Sequence, residues 1–189
     1  MAINVLGLLH VQAANHFLAN QRLMQACLRL DDSEYFAARP SFFGSIHGTF
    51  DHIVTTDQRY LSRLGGTPLP PTGDDGVTYG TRDALIKAQR ETDDAMRAYI
   101  GGLSDDDLEQ EILLHETQRW GRVVEPIWAI LQHVLAHGTH HRGQIHDMLS
   151  QTSIAPPQLD EFILRMDRES RMAEVDAQNL SGWMIDDIN

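Results

Sequence analysis

Four histidines fall within the nine residues His133 to His141, and three of them, His133, His137 and His141, stand one helical turn apart. Side chains four residues apart on a helix project from the same face, close enough to bind one ion. The run therefore asks for a helix, and for neighbours that tolerate a row of imidazoles. At about 100° per residue, with His133 at zero, His137 lies near about 40°, His141 near about 80° and His140 near about −20°. The apolar residues Ile127, Ile130, Leu131, Val134, Ile145, Met148 and Leu149 cover roughly 60° to 200° of the same wheel. His141 thus sits inside the inward stripe and His137 borders it, whereas His133 and His140 lie further out.

The rest of the chain repeats the helical pattern. Leu6, Leu9, Ala13, His16, Asn20, Leu23, Cys27 and Leu30 recur at spacings of three and four, which predicts a first helix from about Val5 to Leu30. A second is expected from about Ser41 to Leu64, stopped by Gly65-Gly66, and a third from about Thr81 to Ile100. The Pro- and Gly-rich stretch Thr67 to Gly80 reads as a loop, and Ser104 to Leu108 as a cap with a short turn. Ile112-Leu113-Leu114 and Val123-Val124, separated by Gly121, suggest a short hairpin or extended crossover. Glu125-Pro126 opens the last long helix, which fades near Thr152. Pro156-Pro157 leads into a short helix, Gln158 to Met166, and residues 168–189 form a polar tail with an isolated Trp183. Four amphipathic helices with a long crossover between the third and fourth predict an all-α four-helix bundle over residues 1–167.

Two histidines do not complete a site, because zinc-like ions take three or four ligands. The missing one has to come from another helix. His52 is preferred, although it lies away from the centre of its own apolar stripe, and His47 and His16 compete with it. The pattern excludes two familiar alternatives. No Glu-x-x-His motif of the di-iron bundles is present, and Gly138 stands where the zinc-protease pattern His-Glu-x-x-His needs glutamate.

Three polar residues interrupt apolar stripes: His16 and Asn20 in the first helix, Asp57 in the second. Buried polar groups need partners. These residues either line a polar cofactor-binding pocket around the ion, with Asp57 orienting a ligand histidine and Trp120 as a wall, or form an internal hydrogen-bond network.

Composition narrows the function classes. A net charge of −12 repels phosphate backbones, so nucleic acid is not an expected partner. The lone cysteine, Cys27, falls on an inward seam and permits no intrachain disulfide. No apolar run approaches the length of a membrane span, and the first residues lack the basic start of a signal peptide. A soluble cytoplasmic protein is expected.

Two stretches carry a resemblance. His137-Gly-Thr-His-His141-Arg142-Gly143-Gln144-Ile145 is similar to the helix signature of the DinB family, and Phe42-Phe43-Gly44-Ser45-Ile46-His47-Gly48-Thr49-Phe50-Asp51-His52-Ile53-Val54 resembles its second-helix signature. The correspondence runs from about Val5 to Met166. It implies an up-and-down four-helix bundle holding a divalent metal, zinc or nickel, on three histidines at the positions of His52, His137 and His141; this match lifts His52 above its rivals. It further implies a homodimer and a small-molecule substrate, since the wider superfamily includes low-molecular-weight thiol S-transferases. A three-histidine site with open positions suits catalysis, by thiol transfer or by hydrolysis. The competing class is a non-catalytic metal-binding stress-response protein.

Overall fold

The computed structural model describes residues 4–65, 69, 76–119, 121–159 and 164–184. Among these are six α-helices: α1 (Val5–Leu28), α2 (Asp32–Tyr35), α3 (Ile46–Arg63), α4 (Arg82–Gly101), α5 (Ile127–Leu149) and α6 (Arg168–Ala177). Two strands, β1 (Glu111–Thr117) and β2 (Gly121–Pro126), pair antiparallel between α4 and α5. The all-α class is corrected to a mostly helical chain with a small sheet. The physical reason lies in the crossover itself. Gly121 adopts a positive φ of 66°, which a helix does not accept, and β-branched Val123 and Val124 suit the strand that follows.

Polar caps set the helix starts. Asn4 Oδ1 accepts from the Gly7 amide at 2.8 Å, and Thr81 Oγ1 accepts from the Ala84 amide at 3.2 Å, each satisfying a first-turn donor. The second long helix begins at Ile46, five residues later than the apolar pattern suggests. Gly44 turns the chain at φ 73°. Ser45 then caps α3, its Oγ accepting from the Gly48 amide at 2.9 Å. The segment expected as a helix from Gln158 to Met166 is not one where it is described: Gln158 and Leu159 are irregular, and Arg165–Asp167 is a single 3-10 turn. Trp120 lies outside the described residues.

The chain divides into two compact units, Met1–Phe50 with Thr139–Asn189, and Asp51–Gly138; the division passes through α3 and α5, each of which is one unbroken helix. In the first unit Ala13, Phe17, Leu18, Leu23, Tyr35, Ile145 and Leu149 are buried. The segment after Asp167 belongs to this unit. The Arg22 guanidinium grips the Glu174 carboxylate through Nε at 2.9 Å and NH2 at 2.7 Å. His10 stacks on Trp183 with ring centroids 4.5 Å apart. Val175, Leu180 and Met184 are buried as well.

In the second unit Ile53, Val54, Leu61, Leu85, Ile100, Ile130 and Leu131 are buried. Asp51, also buried, fastens the loop before α4 by accepting from the Thr78 and Tyr79 amides at 3.2 and 2.8 Å. Gln58 donates to Tyr79 and Thr92, both at 2.9 Å. No described helix is long and apolar enough to cross a membrane.

Candidate metal centre

Helix α3 presents His52 and helix α5 presents His137, and the two Nε2 atoms stand 3.0 Å apart. One turn further along α5 is His141, which is 8% exposed. His52, His137 and His141 each offer one ring nitrogen, and these nitrogens all lie within 4.8 Å of one another. A tetrahedral ion with metal–nitrogen bonds of about 2.0 Å spans ligand pairs of roughly 3.3 Å, so the His52–His137 pair already has nearly that separation. The donor set is imidazole throughout, which fits zinc, nickel, copper or iron.

The other ligand candidates go elsewhere. His47 is buried against Tyr35, with its Nδ1 3.2 Å from the phenol oxygen, and its ring packs on Phe36 at 4.8 Å. His16 lies on α1 and meets Arg142. His133 and His140 are exposed on α5. His133 packs edge-on against Tyr60 at 5.1 Å.

His141 has the most defined surroundings. Its Nδ1 is 2.8 Å from Gln144 Oε1. The Phe43 ring meets it edge-on with centroids 5.4 Å apart. Phe43 is carried by the turn before α3, and Gly48 admits that turn: a Cβ on Gly48 would lie 2.3 Å from the Phe43 carbonyl oxygen. A cleft of about 520 Å³ adjoins this region, lined by Arg39, Ser41, Phe42, His140, Gln144 and Asp147 among others.

His16 and Asn20 are brought together by a residue the sequence reading passed over. Arg142, 3% exposed, donates from NH1 to His16 Nδ1 at 3.0 Å and to Asn20 Oδ1 at 2.9 Å, and from NH2 to Thr139 Oγ1 at 3.1 Å. Its position on the wheel, about 180° from His133, falls inside the apolar stripe, so periodicity alone contains the signal that it is buried. Asp57 is fully buried on α3, in the second unit.

Burial, and after it the Arg142 guanidinium, hold the His16 imidazole well below its ordinary range. Native His16 therefore refuses a proton that the unfolded chain accepts below about pH 6.5. Stability is expected to fall as pH drops below that value, by on the order of 1 kcal/mol per pH unit, until the folded imidazole itself protonates. Above it this group adds no slope. Denaturant midpoints measured across the acid range should show the slope in the wild type and a flatter profile in His16→Gln. Identical profiles would remove His16 as the cause.

Comparison with known proteins gives one family and one fold. The model of the DinB family matches residues 7–172. The crystal structure of a DinB-like protein from Bacillus cereus superposes with a TM-score of 0.55 at 18% identity, covering 74% of this chain and 89% of that one. No curated protein matches the chain.

Proposed function

Because the chain belongs to the DinB family, we propose that it binds a divalent metal, zinc or nickel, through His52, His137 and His141 and works as a metal-dependent enzyme. The convergence of these three ring nitrogens within 4.8 Å of one another is the observation that carries the reading. Three nitrogen ligands leave coordination positions for a further molecule, as catalytic zinc sites do. A bound divalent ion supplies Lewis acidity, lowering the pKa of a coordinated water or thiol toward neutrality.

The leading reaction is transfer of a low-molecular-weight thiol to a small electrophile. The thiol loses its proton to solvent, its sulfur forms a bond to the electrophilic carbon, and the leaving group departs with the electron pair of the bond that breaks. The hydrolytic counterpart uses water in place of the thiol. His16, Asn20 and Asp57 are the proposed cofactor-binding residues. A cytoplasmic homodimer with the four long helices arranged up and down completes the reading. The alternative is a metal-binding stress-response protein without catalysis, which would saturate the ion's coordination.

Cobalt- or nickel-loaded protein titrated with a thiol tests the choice. A thiolate-to-metal charge-transfer band, followed by thiol consumption when an alkylating electrophile is added, is the expected result. Ester hydrolysis without thiol would select the hydrolase. A loaded protein with no thiolate band and no hydrolysis would leave the non-catalytic alternative.

A further inference from the structure

We propose that Gln144 is a positioning residue that fixes which ring nitrogen of His141 is offered to the ion; the idea rests on the metal site proposed above. A neutral imidazole carries one proton on one of two nitrogens, and a metal ligand must present the nitrogen without it. Gln144 Oε1 lies 2.8 Å from His141 Nδ1. A carbonyl oxygen can only accept, so Nδ1 holds the proton and the lone pair is on Nε2.

The amide's own orientation is set at its other end. Gln144 Nε2 lies 3.2 Å from His140 Nε2, a contact an NH2 group satisfies by donating. Reversing the amide would place a donor against His141 Nδ1 and push the proton to Nε2, the tautomer that closes the ligand position. The exposed His140, outside the ligand trio, thereby acquires a role: it holds the amide that holds the ligand. The helix makes this arrangement local. Gln144 is three residues from His141 and four from His140, the two separations at which side chains on one helix meet. Phe43 packs edge-on against His141, so the ring is held by packing as well as by the amide. Gln144 and His140 also line the neighbouring cleft, so a molecule entering it meets the same amide.

The tautomer can be read directly, without metal, from long-range proton–nitrogen NMR correlations of histidine-labelled protein at about pH 8, above the imidazole range. The wild type is expected to show His141 protonated at Nδ1, and Gln144→Met to lose that preference. Zinc affinity, measured by competition with a chromophoric chelator, should weaken about 10- to 100-fold in Gln144→Met, the usual cost of losing a partner that orients a ligand. Gln144→Glu keeps an acceptor oxygen and should bind zinc at least as tightly as the wild type. An Nε2-protonated His141 in the wild type would overturn the proposal. So would an unchanged tautomer and affinity in Gln144→Met, or a Gln144→Glu variant as weak as Gln144→Met. Wild-type protein that shows the Nδ1 tautomer yet binds no zinc would overturn the metal site and leave the role of Gln144 in setting the tautomer standing.

Discussion

Protein purified without a histidine tag is expected to carry about one divalent ion per chain, and His52→Ala or His137→Ala to carry none. The reasoning is arithmetic on ligands. Removing either leaves two imidazoles, and two do not hold a zinc-like ion against solvent and buffer. His52 and His137 are the pair with Nε2 atoms 3.0 Å apart, so losing either breaks that convergence. His115→Ala is the matched control, since this histidine lies on β1 and outside the trio. Mass-spectrometric metal analysis of the three variants beside the wild type decides the matter. Equal metal content in His137→Ala and His115→Ala would sink the site. Because protons compete with metal for each imidazole lone pair, the bound ion should also be released as pH is lowered.

The largest expected loss of stability follows from Arg142→Met. Arg142 is 3% exposed, and its guanidinium donates to His16 Nδ1, Asn20 Oδ1 and Thr139 Oγ1. Methionine fills much of the volume of the stem but donates nothing, so the buried His16 and Asn20 acceptors lose a charged donor. Hydrogen bonds from a charged donor contribute about 1.5–3 kcal/mol each, and the variant is expected to lose on the order of 3 kcal/mol. Lysine is not expected to restore it, because a single ammonium cannot reproduce the fork that reaches three acceptors. Urea unfolding, read as a shift of midpoint at constant slope, measures the change. A loss well below 1 kcal/mol would mean that the cluster adds little to the fold.

Much of the helical framework was legible from local pattern. The stripes of α1, α4 and α5 come from side chains three and four apart, a relation set within one helix, and α4 starts at Arg82, one residue from the expected Thr81. The start of α3 was not legible from apolar spacing, because Phe42 and Phe43 continue the apolar pattern into a segment that Gly44 and Ser45 turn away. Phe42 is 91% exposed there, and its apolar character says nothing of where the helix begins.

The candidate site divides along the same line. His137 and His141 were readable because one helix fixes their spacing. Choosing His52 over His47 and His16 was beyond spacing: all three are histidines on long helices, and only the fold separates them. It sends His47 to Tyr35, His16 to Arg142 and His52 to His137. Sequence by itself determined the four long helices to within a few residues, the crossover and the face on which the imidazoles line up, because those depend on neighbours close along the chain. Tertiary structure decided which distant histidine completes the trio, which buried polar residues meet Arg142, and that the segment after Asp167 carries a helix joined to α1 by Arg22 and Glu174. Those pairings join residues more than eighty positions apart, and no local periodicity encodes a partner at that distance.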